Sequence, residues 1–406
     1  MTPIVTSTQK PSKLPAAIRA LNALGRGRAR WLASFDAQAL RERAMRKSGL
    51  VDFGEEASFS EGLNVLCRSV EDDARLSLAG RLAFRDYIVR ALVNRLRYVH
   101  ARAVEPEVQD VALVPPIIVM GLPRSGTTFL HHLLACDPAA RPLRLWELME
   151  PIAGPGRDKR RQRTAKVLSR AKWMDKTLDA KHHFDADHPE ECVLLLDPTF
   201  LSASFWVFAP VHGYLKWLRG QDLNEAYGAY RWYLQRFQRE TPTQRLVLKA
   251  PAHTAAVEAL LRAVPNARLV QTHRDPISVV PSANSLVLSL HAMVSDGLDV
   301  ERMCKTNLEH LEHLVEVSQR ARARTSSWVD VRYSRLVRDP IGCVRRIYDR
   351  LELVVSDEMV DRMERHLASR PKDKFGKHAY SARDVGPTDA LLRERFSAYV
   401  QDHLAD

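Results

Sequence analysis

Residues 116–128, PIIVMGLPRSGTT, constrain this chain more than any other stretch. A short, mostly branched apolar run from Pro116 to Met120 has the composition of a buried parallel strand. Gly121 and Gly126 bracket four residues, and Phe129 to Ala135 continues as a helix. A strand, a Gly-bounded loop and a helix together form an anion cradle, because loop amides and the helix N-terminus point at one place. Nucleotide triphosphatases carry Lys directly after the second Gly. Here Thr127 stands there and the cation, Arg124, lies inside the loop, a pattern better suited to a shorter anionic group than to a triphosphate.

A second segment, residues 267–282 (ARLVQTHRDPISVVPS), has a strand-like start followed by Arg274, with Ser282 eight residues further on. With both loops in view, the chain resembles the sulfotransferases that use 3'-phosphoadenosine 5'-phosphosulfate (PAPS). The likeness is greatest to a large bacterial group and more distant to the tyrosylprotein sulfotransferases, and it covers about residues 50–400. It implies that Arg124, Ser125, Gly126, Thr127 and Thr128 hold the 5'-phosphosulfate, and that Arg274 and Ser282 hold the 3'-phosphate. Tyr333 resembles the family tyrosine that contacts the nucleotide. The basic run at residues 370–378 (RPKDKFGKH) looks like the C-terminal loop that closes over PAPS, with Lys374 and Lys377 as its candidate cations. Leu286 replaces a further Arg of the tyrosylprotein enzymes, which speaks against a peptide acceptor.

The resemblance also guides the choice of catalytic groups. Sulfuryl transfer needs a base for the acceptor proton and cations for charge developing on the sulfuryl and bridging oxygens. Arg124 is one such cation. Lys249, emerging from the apolar run Leu246 to Leu248, matches the spacing of a functional Lys in the tyrosylprotein enzymes. Glu147, after the strand-like residues 142–146, occupies a place similar to their general-base Glu and is the first choice here. The competitors are His182, His183 and His188 in residues 182–192 (HHFDADHPEEC), where Pro189 and the two Glu fit the first turn of a helix. No metal-ligand spacing is present, so no metal is expected.

The expected fold is α/β, a P-loop-type parallel sheet covered by helices, with strands near 116–120, 143–146, 245–249, 268–273 and 328–332. Residues 1–12 read as a mobile N-terminus and 13–110 as a helical extension. The sulfotransferase domain is expected over 111–406, with a helical acceptor-side insertion at about 150–240. Leu78, Leu82, Val89, Leu92, Leu96 and Val99 make an apolar stripe on one long helix of the extension, with Arg81, Arg85, Arg90, Arg95 and Arg97 on its other faces. Arg124, Glu147, Lys249 and Arg274 lie at or past strand ends, where such sheets bind ligands.

The chain has 406 residues, is 45% apolar, and carries 61 basic against 49 acidic side chains. That excess suits anionic ligands without being a nucleic-acid signature, and no nucleic acid is expected. It is partly local, with ten Lys/Arg and two acids in the first 50 residues, and ten against three from Arg157 to Lys181. Five scattered Cys without a Cys-x-x-Cys pair fit a reducing compartment, and with no apolar leader this favours the cytoplasm. Pro198 to Leu215 is free of formal charge but holds two Pro, a Gly and a His, so it reads as buried or pocket-lining structure. Its aromatics beside the basic stretch favour a small, lipid-like alcohol or phenol as acceptor, with peripheral membrane contact. Two other classes fit less well. A P-loop kinase or nucleotidase lacks its Lys and a paired acidic segment for Mg²⁺, and a basic helical nucleic-acid- or partner-binding protein leaves the Arg274/Ser282 spacing unused.

Overall fold

The structure is a computed structural model that describes residues 14–54, 57–175, 184–324, 328–369 and 386–405. Five parallel strands form its centre: β1 (Ile117–Gly121), β2 (Ala140–Pro142), β3 (Arg245–Lys249), β4 (Arg268–His273) and β5 (Trp328–Arg332). Their order is β2-β3-β1-β4-β5. The chain leaves β1 first toward one edge and later toward the other, so the carboxyl end of β1 is the switch point where such sheets hold ligands.

Side-chain alternation divides the sheet between two cores. On one face Ile118, Met120, Leu246, Leu248 and Leu269 join a large cluster that includes Phe59, Leu92 and Leu96 from the N-terminal helices and Phe205, Tyr214 and Tyr230 from the region before β3. On the other, Ile117, Val119, Val247, Val270 and Val331 pack with Leu130, Leu133 and Leu134 of the helix Thr127–Leu134, and with Val344 and Met363 from the C-terminal helices. The N-terminal helices thus complete one face of the catalytic sheet.

Four strand expectations agree with the structure, and one does not. The second strand is Ala140–Pro142, and residues 145–149 form a short helix, Leu145–Met149. The cause is a cap, in which the Glu147 carboxylate accepts from the Arg144 amide at 2.8 Å while Glu147 N donates to the Arg144 carbonyl at 3.0 Å. The long helix Leu78–Val104 carries the expected stripe, but Arg81 and Arg95 are buried at 2% and 1% exposure, not solvated. Arg81 donates from Nε to Ala33 O (2.7 Å) and pairs with Glu71. Arg95 donates to Phe53 O (2.8 Å), its guanidinium 4.7 Å from the Phe59 ring centre. Backbone carbonyls and ring faces substitute for water around both charges.

The uncharged run 198–215 is core. Phe200, Phe205 and Tyr214 are fully buried, and Trp206 donates to Asn307 Oδ1 at 3.4 Å. Tyr87 of the long helix donates to Asp197 Oδ2 at 2.6 Å and to Ser204 Oγ at 2.9 Å. Burial raises the pKa of Asp197, although Ser204 and Tyr87 donate to it. The helix Pro276–Val294 is long and apolar enough to cross a membrane, yet Val279, Val280 and Ala283 are core residues packed with Leu311, Leu314 and Phe396.

That helix meets the N-terminal layer at one point of very close approach. A Cβ on Gly80 would lie 1.9 Å from the Val294 carbonyl oxygen, and this oxygen already accepts from Ser77 N at 2.9 Å. Gly80→Ala must therefore move backbone against backbone. It is expected to lower unfolding free energy by about 3 kcal/mol, the upper end for overpacking; a urea midpoint equal to wild type would refute the contact.

Candidate active site

The loop after β1 is built on three positive φ angles: Gly121 at 130°, Arg124 at 68° and Gly126 at 96°. Glycine reaches this region freely, whereas Arg124 is held there at a cost of about 1–3 kcal/mol, a form of strain that collects at functional sites. Both glycines are also required for space. A Cβ on Gly121 would sit 2.4 Å from Thr272 O, and one on Gly126 would sit 2.8 Å from the Tyr333 ring. Gly121 N donates to Thr254 Oγ1 at 3.0 Å, tying the loop to the segment after β3.

Ser125 departs from its expected part. Its hydroxyl contacts Leu122 O and Thr272 Oγ1, both at 2.5 Å, and its amide donates to Leu122 O at 3.2 Å. The buried Ser125 closes the turn from within. The amides of Gly126, Thr127 and Thr128 precede the first bond of the helix, from Leu130 N to Gly126 O, and so are left over by the helix itself.

Around this loop the structure gathers four of the predicted residues. Arg124 Nε donates to Ser282 Oγ at 3.0 Å, and Arg274 Nη1 donates to Arg124 O at 2.9 Å. The Arg274 guanidinium lies 4.2 Å from the Tyr333 ring centre, and that ring packs on Gly126. Burial, together with the nearby Arg274 charge, lowers the pKa of Arg124. A polyanion would relieve their mutual repulsion, so the donor set fits a phosphate-rich ligand. Behind Arg274, His273 is fixed between Tyr399 OH (3.2 Å) and Asp330 Oδ1 (2.7 Å), and Arg322 pairs with the same carboxylate. His273, Asp330 and His403 bring possible metal ligands within 4.8 Å of one another. Asp330 and both nitrogens of His273 already have these partners.

Lys249 ends β3 on the face of Val247, the face covered by the helix Thr127–Leu134, and its register partner is Val119 of β1. Its side chain is fully buried, with Nζ 2.9 Å from Glu191 Oε1 and 3.3 Å from Glu190 Oε1. Burial opposes the charge, but Glu191 and Glu190 outweigh it and raise the lysine pKa. His131, one helical turn past the loop, has Nε2 3.0 Å from Val247 O; burial, with Lys249 nearby, lowers its pKa to about 4. It is neutral at working pH.

Glu190 and Glu191, which the sequence assigns to a helix start, are the partners of Lys249 that sequence reasoning missed. They precede a 3-10 helix, Cys192–Thr199, and their extended backbone is set by Glu190 N bonding to Leu143 O at 3.1 Å. The Pro189–Arg144 bridge holds the same segment beside β2. Their signal was the apolar environment predicted for Lys249, since a buried ammonium requires carboxylates nearby. His188 lies with its ring 6.2 Å from that of His132. His182, His183, Lys374 and Lys377 fall outside the described residues.

Glu147 is not placed as the expected base. Arg141 binds both of its carboxylate oxygens, one of them at 3.1 Å, and the Arg144 amide takes one of them again. Arg141 also lies 3.8 Å from Glu240 and against Phe237, in the layer that borders the start of β3. The carboxylate is 6% exposed and fully engaged, so it anchors the short helix to the edge strand.

Fold and site together define a nucleotide-dependent group-transfer enzyme with an unusual anion loop. A family model described as sulfotransferase family matches residues 115–357. The chain belongs to the sulfotransferase family, as a PAPS-dependent enzyme that transfers a sulfuryl group to a hydroxyl. The crystal structure of sulfotransferase STF9 from Mycobacterium avium is similar at TM-score 0.81 and 29% identity, covering 92% of this chain and 97% of that one. STF1 from Mycobacterium tuberculosis H37Rv is similar at TM-score 0.77 and 31% identity, covering 89% and 98%. Among characterised relatives, the omega-hydroxy-beta-dihydromenaquinone-9 sulfotransferase Stf3 of Mycobacterium bovis is 26% identical over 306 residues, covering 72% of this chain and 77% of its own.

The structural part of Glu147 has a direct test. Glu147→Gln is expected to lower unfolding free energy by about 1–3 kcal/mol, through loss of a buried charged pair. Turnover per folded molecule should stay near wild type. A hundredfold loss of turnover at unchanged thermal stability would restore Glu147 as the base.

Proposed function

We propose that the chain transfers the sulfuryl group of PAPS to the hydroxyl of a lipophilic small-molecule alcohol. The observation that carries the donor assignment is the junction of Arg124, Arg274 and Ser282 beside a positive-φ anion loop. In this reading Arg124 and the amides of Gly126, Thr127 and Thr128 hold the 5'-phosphosulfate. Arg274 and Ser282 take the 3'-phosphate, and Tyr333 supports Arg274 from beneath. The lipophilic acceptor is supported by the substrate in the name of the menaquinone-directed relative. The uncharged aromatic run gives it no support, because those rings are core.

The chemistry follows from charge placement. The acceptor oxygen attacks sulfur, the bond from sulfur to the bridging oxygen breaks, and 3',5'-bisphosphoadenosine departs with the added charge. Lys249 and Arg124 are the cations that meet this charge. Glu191, one-third exposed where Glu190 is nearly enclosed, is the carboxylate with access to an acceptor hydroxyl and receives its proton. Lys249 then has two alternative partners, the glutamates before the donor binds and the bridging oxygen afterward. Drawing Lys249 away would leave Glu191 less stabilised as an anion and so a stronger base when the acceptor is in place.

Calorimetric titration with 3',5'-bisphosphoadenosine tests the donor site. Arg274→Ala should weaken binding by about 2–4 kcal/mol, as expected for a desolvated charge-assisted contact. Glu191→Gln and Lys249→Met should bind the bisphosphate within a few-fold of wild type and lose about 10²-fold or more in turnover. Mg²⁺-dependent ATP binding without bisphosphate affinity would overturn the donor assignment; full turnover in Glu191→Gln would remove only the base.

A further inference from the structure

The N-terminal layer has an outer face that the reaction leaves unused. The helix Ala16–Gly25 is anchored inward by Asn22, whose Oδ1 accepts from Ala79 N at 3.0 Å, and by Gly25, which touches Leu78. Ala33 and Phe35 are buried at the other end of the segment. Between these anchors the chain turns outward. Leu24, Trp31 and Leu32 are 79%, 95% and 56% exposed. Leu24 lies two residues from Asn22, about 200° round the helix, and continues an exposed line through Ala17 and Ala20.

Within this segment the charge has one sign, with Glu71 beside Arg30 and Asp296 near Arg26 contributed from outside it. Residues 14–35 contain four arginines and no carboxylate. Arg30 is held by Glu71, while Arg19, Arg26 and Arg28 are exposed. The second basic segment, the helix Arg160–Met174, differs because Arg160, Arg161 and Arg163 pair with Asp158, Asp187 and Glu150. An exposed Trp with adjacent Leu and a ring of arginines has the chemistry of the water–lipid interface. Indole sits at headgroup depth, leucine below it, and guanidinium meets lipid phosphate.

We infer that Leu24, Trp31 and Leu32, with Arg19, Arg26 and Arg28, dock the enzyme on the surface of an anionic phospholipid bilayer. The position suits that role. Val294 closes on Gly80 beneath this layer, and Ser282 lies twelve residues back on the same helix, about 18 Å of rise away. The docked face would thus lie within a lipid's length of the nucleotide site. Vesicle binding itself depends on neither the donor nor the base assignment; only the face's nearness to the nucleotide site rests on Ser282.

Flotation of the full chain with vesicles of phosphatidylglycerol and phosphatidylcholine, against phosphatidylcholine alone, is the test. Binding to the anionic vesicles alone, weakened by salt, is expected. Trp31→Ala should lower the partition coefficient on the order of tenfold, as should the pair Arg26→Glu and Arg28→Glu. Bisphosphate affinity should be unchanged in all variants, which shows that they fold. Equal vesicle binding by wild type and variants would overturn the inference. So would no binding at all, or a wild-type dimer that Trp31→Ala dissociates, since the face would then be an interface between copies.

Discussion

Two like charges gathered at one loop hold the key to this site. Arg124 and Arg274 come from different strands, yet Arg274 donates to the Arg124 carbonyl and Arg124 donates to Ser282. The Arg274 charge opposes that of Arg124, and burial deepens the cost. The rest of the structure is arranged so that they cannot separate. β1 and β4 are adjacent and in register from Ile117 to Gly121, Gly126 admits the Tyr333 ring, and that ring lies under Arg274. Rigid placement of cations in advance of the ligand is what makes such groups effective, since little reorganisation is left for the moment of binding.

Lys249 follows the opposite logic. Its ammonium is fully buried and is tolerable only because Glu190 and Glu191 stand within ion-pair distance. The segment carrying those glutamates is fixed by bonds to the chain just past β2, from Glu190 N to Leu143 O and from Leu145 N to His188 O. The edge strand, short as it is, therefore sets the electrostatics at the centre of the sheet. Glu147 belongs to the same construction, since its contacts with Arg141 and Arg144 determine where the chain turns after β2.

Legibility of the fold in the sequence varied with the range of the forces involved. Four strands and the anion loop were visible because local apolar runs and glycine spacing determine them. Arg124, Arg274 and Ser282 follow from two short motifs seen together, and Tyr333 from a separate likeness to a family tyrosine; the structure brings the four to one loop. Residues 143–146 were misread as a strand because a cap formed by Glu147 with its own Arg144 amide outweighed an apolar alternation of only four residues. The same capped carboxylate then looked like a free base. The inward contacts of Ser125 were hidden for a related reason. Its sequence context marks the loop, but only the nearness of Thr272 shows that its hydroxyl faces inward. Partners of Lys249 could not be read from spacing, because residues 190 and 249 meet only through tertiary packing.

The aromatic run 198–215 illustrates how composition underdetermines function. A run of rings without charge satisfies the demands of a ligand pocket and of a protein core equally well. What decides between them is whether the remaining polar groups face inward to partners or outward to a ligand. Here the Trp206 indole reaches Asn307, the Tyr214 hydroxyl reaches the Phe200 and Ser202 carbonyls, and the His291 Nε2 lies 2.7 Å from the Trp206 carbonyl. These polar groups meet partners within the core, although His291 Nδ1 is buried without one. These rings bind the helix Pro276–Val294 to the N-terminal layer, and so fix the helix that carries Ser282. Their structural contribution is the position of that hydroxyl beside Arg124.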